Sequence, residues 1–348
     1  MNSPAAVTPD LAQAALILVR DMMCIVSDEH VLVTCDPNSD QRAVAAIVNA
    51  SYSLGAKTVS MTLAPALPFQ GGLANPYVPD PVFAAAQNCD AWIDLCMPYL
   101  AGAAVYDKAM KNGRTRYFLA ADIGADGIVR IFQQTDLDQV FAVSDMFNAL
   151  LAESAGKQCR FTTPLGTDVK FQLADPEGLA IERASKPGGY FVPGTVMVIP
   201  ELNSVKGIVV CESTFHEYYT PLSDPFRFVV DGKISAVSGG GTELKVIDRA
   251  LKRAGNGEYG NIVHFTCGYH PTARVTGQSF IEDQRAIGCN AVGLGLPQWV
   301  EGGGENHPDC VMQEQSFWIG DEQIIDDGVI VAPPDLAQAA RELQPHYG

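Results

Sequence analysis

The chain has 348 residues, 47% of them hydrophobic and 18% charged, with a formal net charge of −17. That composition belongs to a compact globular protein with length enough for two domains and a large core, and it excludes a disordered chain. So acidic a balance also argues against a nucleic-acid or anionic-membrane surface, since both require clustered Lys and Arg.

Nine scattered cysteines with no CxxC pair suit buried thiols in a reducing compartment, not a disulfide framework or a zinc knuckle. The apolar run near the N-terminus has no basic leader and is interrupted by Arg20 and Asp21. No segment has the uninterrupted apolar length of a membrane span, so the expected location is cytoplasmic.

In chain order, Thr8-Pro9-Asp10 opens a helix that runs to about Met23. HVLVTCD (30–36) is a short apolar strand, QRAVAAIVNASYSLGA (41–56) a helix ending at Gly55, and KTVSMTL (57–63) the next strand. CDAWIDLCM (89–97), a helix around 102–112 and TRYFLAAD (115–122) repeat the unit, and LDQVFAVSDMFNALLAES (137–154) is a further helix. Strands separated by helices of this length pair in parallel through right-handed crossovers. The turn CDPNSDQR contains no GxGxxG, so this half is read as a scaffold that covers or gates a site elsewhere, not as a dinucleotide site.

Near Lys157 the texture changes to short strands with Gly-rich or Asp-Gly turns. CRFTTPLGTDVKFQL (159–173) reads as a hairpin, followed by strands within 194–213, 225–240 and 317–331. TELKVIDRALKRAG (242–255) is one amphipathic helix. The expected fold is an α/β, Rossmann-like domain with a parallel sheet over 1–155 and a β-rich α+β domain over 156–348. The second domain is expected to carry the chemistry.

Only six histidines occur, at 30, 216, 264, 270, 307 and 346. His264 lies on a probable strand that Gly268 ends, and GGGENHPDCV (302–311) brings His307 and Asp309 two residues apart after a glycine run. On an extended backbone such a pair points the same way. If His264 joins them, two imidazoles and a carboxylate form a facial set with open positions, which suits mononuclear non-haem Fe(II). A hydrogen-bonded strand histidine and a self-capping His-x-Asp turn are the structural alternatives.

Several other groups are candidates. His270 is a possible acid/base, or a turn residue before Pro271. Arg274 suits bidentate binding of a substrate carboxylate, or a salt bridge to Asp283. One of Glu282 and Asp283 suits holding a ligand imidazole in its tautomer. KPGGYFVPG (186–194) suits a mobile or closely approached pocket wall from which Tyr190 donates to a substrate. FHEYY (215–219) fits either a pocket rim or a subunit contact.

The order His264, Gly268 to Pro271, Glu282-Asp283, GCNAVGLG (288–295), His307-Pro-Asp309 and IGDEQIIDDG (319–328) resembles a known metalloenzyme family. It includes the aminopeptidase T-like metallopeptidases and the 2,5-dihydroxypyridine 5,6-dioxygenases. The likeness covers the C-terminal half in order and spacing, and the N-terminal half in α/β texture. Peptidase-like members carry glutamate where this chain has His264 and a histidine at the position of Ala291, so the dioxygenase branch is nearer. Yet AVGLG offers no serine to match that branch, and neither PYLAGAAVYDK nor ASKPGGYF contains its histidines.

The resemblance implies a ring-cleaving, Fe(II)-dependent dioxygenase of a dihydroxypyridine-like compound, with His264, His307 and Asp309 as ligands. Its expected partners are a small-molecule substrate and O2, and the expected assembly is a homo-oligomer. The alternative it implies is a hydrolase using zinc or manganese, in which Glu201 stands where peptidase-like relatives place a ligating glutamate and otherwise acts as an acid/base.

Overall fold

The computed structural model describes residues 7–175, 182–297 and 306–346. The run Gly302 to Gly304 therefore lies outside the described residues. Two compact units are present. The first runs to Asp136 and regains the stretch that ends at Pro193. The second opens at Leu137 and, after that return, holds Gly194–Gln344.

The first unit is built on a five-stranded parallel sheet. Its spatial order is Lys57–Thr62, His30–Cys35, Ala91–Asp94, Arg116–Leu119 and Gly188–Phe191. The three central strands, HVLVTC, AWID and RYFL, are apolar along nearly their whole length because helices cover both faces. Helix Gln41–Ser53 starts where the Asp40 carboxylate accepts the Arg42 amide, and Pro9–Ile17 starts at the Thr8 hydroxyl. Helix Pro9–Ile17 runs on into one wider turn, Leu18–Met22. KPGGYF departs from expectation. Its Gly188–Phe191 portion is the edge strand of this sheet, in register with Arg116–Leu119, and is closely approached rather than mobile: a Cβ on Gly189 would sit 2.7 Å from the Tyr106 hydroxyl.

The second unit begins with helix Leu137–Glu153. The rest is a curled twelve-stranded sheet, antiparallel along its path. Its core is aromatic: Phe161 stacks on Phe317 at 4.3 Å and Phe171 on Phe265 at 5.0 Å. Val292, Leu294, Cys310 and Met312 join that core from neighbouring strands. The part that matters for chemistry is the run Lys206–Phe215, Asp309–Met312, Asn290–Gly295, Asn261–Gly268. On these strands one side chain in two enters the core, so the intervening set faces the other way. No helix among the described residues is long and apolar enough to cross a membrane.

Candidate metal centre

Register brings the first two candidates together. His264 lies opposite Gly293, and Gly293 lies opposite Asp309 on its other flank. All three therefore share the face turned away from the aromatic core. A bulge between Ile262 and His264 adjusts the ladder next to the histidine. Bulges re-aim side chains in this way. His307, two residues before Asp309, completes the group.

The Nε2 atoms of His264 and His307 are 3.0 Å apart, and Asp309 Oδ1 is 3.3 Å from the first and 3.7 Å from the second. Donors bound about 2.1 Å from one cation, at about 90° to 110°, stand about 3.0 to 3.4 Å apart. The group therefore has the size of a coordination shell. It is the one such set of three among the described residues.

The electrostatics agree. The Asp309 side chain is 4% exposed, and Oδ1 is buried without a hydrogen-bond partner. A buried acceptor left so is costly unless a cation satisfies it. Burial pushes the pKa of His307 below the usual imidazole range, against the pull of Asp309, which favours the neutral form a metal needs. The 3.0 Å between the two Nε2 atoms fits an N–H···N hydrogen bond when one imidazole carries its proton there, and two donors to one cation when neither does.

Gly293 makes the fit possible. A Cβ there would sit 2.2 Å from His264 Nε2 and 2.4 Å from Cδ2. The ring lies flat over a strand that has no side chain at that point. Sequence reasoning looked for a donor in GCNAVGLG and missed that the useful feature is the lack of one. Further bonds hold the segment carrying His307. Asn306 Nδ2 donates to the Ala250 carbonyl of helix Leu244–Ala254 at 3.3 Å, and Leu294 N donates to Pro308 O at 2.9 Å.

The other sequence candidates lie elsewhere. Glu201 is exposed in a turn, its amide donating to Gln172 O, and does not belong to the group of three. His270 is fully buried, packs on Gly194, and its Nδ1 meets the Thr272 hydroxyl at 3.1 Å. Tyr190 belongs to the first unit, where its hydroxyl donates to Lys186 O at 2.5 Å. Arg274 is exposed, and its guanidinium makes no ion pair among the described residues, so the salt bridge to Asp283 does not form. The acidic pair serves the chain between Thr272 and Asp283 instead. Glu282 Oε1 accepts the Arg274 amide, and Asp283 accepts Thr276 N, Thr276 Oγ1, Gly277 N and the Tyr219 hydroxyl.

A parallel α/β unit joined to a curled antiparallel sheet that carries this donor set is the two-domain, aminopeptidase T-like class of fold. Within that class the chain belongs to the family described as NicX, 2,5-dihydroxypyridine 5,6-dioxygenase, whose family model matches residues 18–332. The fold is similar to that of a 2,5-dihydroxypyridine dioxygenase from Pseudomonas putida KT2440. The TM-score is 0.73 at 20% identity, covering 94% of this chain and 98% of that one. It is also similar to wild-type AmpT from Thermus thermophilus, with a TM-score of 0.62 at 13% identity, covering 93% and 99%. None of the curated proteins matches the chain in sequence.

Proposed function

We propose that the chain is a non-haem Fe(II)-dependent dioxygenase that opens the ring of a hydroxylated N-heteroaromatic compound, 2,5-dihydroxypyridine or a close analogue, with O2. The observation that carries this reading is the donor set itself: two imidazoles and a single carboxylate, converged within one coordination shell. Such a set suits one divalent cation of intermediate softness and leaves positions free for substrate and O2. When bound, iron supplies the electron exchange between the electron-rich ring and O2 that neither performs readily alone.

His264, His307 and Asp309 hold the metal in this reading. Arg274 is the cation best suited to an anionic group on the substrate, because its guanidinium is exposed and without an ion pair among the described residues. Family membership supports the substrate class. Against the hydrolytic alternative stands the charge of the group: one carboxylate is little to hold two dications, and Glu201 is not part of it.

The deciding experiment measures O2 uptake by anaerobically purified, Fe(II)-loaded protein on addition of 2,5-dihydroxypyridine, together with metal content. Uptake with about one iron per chain is expected. Two equivalents of zinc or manganese, with peptide or amide cleavage and no O2 uptake, would replace the dioxygenase by the hydrolase.

A further inference from the structure

The segment between the bridge of His270 with Ala286 leaves the sheet and returns to it. It starts at the end of the strand that carries His264. It is pinned, however, three and four strands away from that one, at Phe215 and Tyr219. Phe280 packs on Phe215 with ring centroids 5.2 Å apart and on Tyr219 at 5.9 Å. Tyr219 donates its hydroxyl proton to Asp283 Oδ2 at 2.8 Å. With that proton committed, the 2.8 Å contact between Ser213 and Tyr219 has the serine hydroxyl as donor.

The register says which face this occupies. Phe215 is paired with Asp309 and Tyr219 with Phe215, so His264, Gly293, Asp309, Phe215 and Tyr219 form one row on one face. Ser213 points the same way, two residues along its strand. A segment that leaves six residues past His264 and is held by Phe215 and Tyr219 therefore reaches, on the ligand face, the strand next to that of Asp309. With strands about 4.8 Å apart, Phe215 stands one strand from Asp309. The segment, which carries Arg274, thus flanks the three-donor group on the side of Phe215.

We propose that Tyr219 is a positioning residue for substrate: held between Ser213 and Asp283, it sets the position of the 271–285 segment beside the three-donor group. Asp283 transmits the setting, because the same carboxylate accepts Thr276 N, Thr276 Oγ1 and Gly277 N, three residues or fewer from Arg274. The ligand is an anionic, hydroxylated ring on the reading proposed above, and the inference rests on that reading for the probe.

The test uses full-length, Fe(II)-loaded protein without O2, titrated with 2,5-dihydroxypyridine. Tyr219→Phe removes one hydroxyl and keeps the ring on Phe280; Ser213→Ala removes the other hydrogen bond without touching Asp283. Each is expected to keep its iron and to bind the pyridine about 5-fold more weakly, the effect of one lost hydrogen bond. In turnover KM rises by the same factor while kcat stays within about 2-fold. Unchanged Kd and KM in both variants overturn the proposal, and so does loss of iron in step with affinity, which would tie Tyr219 to the ligands instead. Should the wild type bind the pyridine yet consume no O2, the dioxygenase reading fails while the Kd comparison still decides the positioning role. If the wild type binds no pyridine, both fall.

Discussion

Gly293→Ala is the sharpest probe of the centre. The glycine has no left-handed torsion, so its backbone tolerates alanine, and only the contact with His264 is at stake. The new Cβ would lie 2.2 Å from Nε2, where ordinary contact begins at 3.4 Å, and the next nearest ring atoms are at 2.4 and 2.7 Å. The ring must therefore move by about an ångström, several times the tolerance of about 0.2 Å for a metal bond. With His264 as one of three ligands, as proposed, such a displacement costs at least about 100-fold in metal affinity, or about 2.8 kcal/mol. The half-open site lets the ring swing outward, so the metal-free fold loses only about 1 kcal/mol. The assay is competition for Fe(II) against a chelator of known affinity, alongside thermal unfolding of the metal-free protein. Metal affinity equal to wild type in a folded Gly293→Ala protein would refute the argument that this strand is a cradle for the imidazole.

Three further outcomes follow from the same geometry. His307→Ala abolishes both iron binding and turnover while circular dichroism of the metal-free protein stays that of the wild type. Glu201→Gln leaves iron stoichiometry unchanged and stability within about 0.5 kcal/mol, because the residue is an exposed turn glutamate; loss of metal would restore it as a ligand. The pKa of His307 is lowered by burial, so in the metal-free protein the unfolded chain takes up its proton at a higher pH than the folded one. The stability from this group is complete above the ordinary imidazole pKa of about 6.5 and is lost as pH falls through the folded value. Melting curves of metal-free wild type and His307→Gln across this range should converge on acidification; parallel curves would contradict the burial.

The three candidate donors were legible because their pattern is local in part. His307 and Asp309 stand at a spacing that fixes their common direction, and His264 sits in a run that reads as strand. What joined them was not legible. Three strands had to be placed side by side in one register, and nothing within a single strand states which residue faces which. The same limit hid Gly293, whose contribution is an absent side chain opposite a ring 29 positions away in sequence. The acidic pair at Glu282 and Asp283 was read as support for an imidazole because the sequence shows only that carboxylates are near; the donors they accept lie in their own segment and on Tyr219. Tyr190 shows the opposite error. The glycines around it suit mobile or closely approached backbone, and they do not state the parallel pairing with Phe118 that makes it part of a sheet.

Because the aromatic core backs the same strands that carry the proposed ligands, a slip of one residue in any of them would turn an imidazole or a carboxylate toward Phe265 and Cys310. Correct assembly and metal uptake are then one event seen by two probes. In any preparation, the fraction of molecules that takes up a cation counts those whose sheet closed properly, a quality measure that needs no substrate.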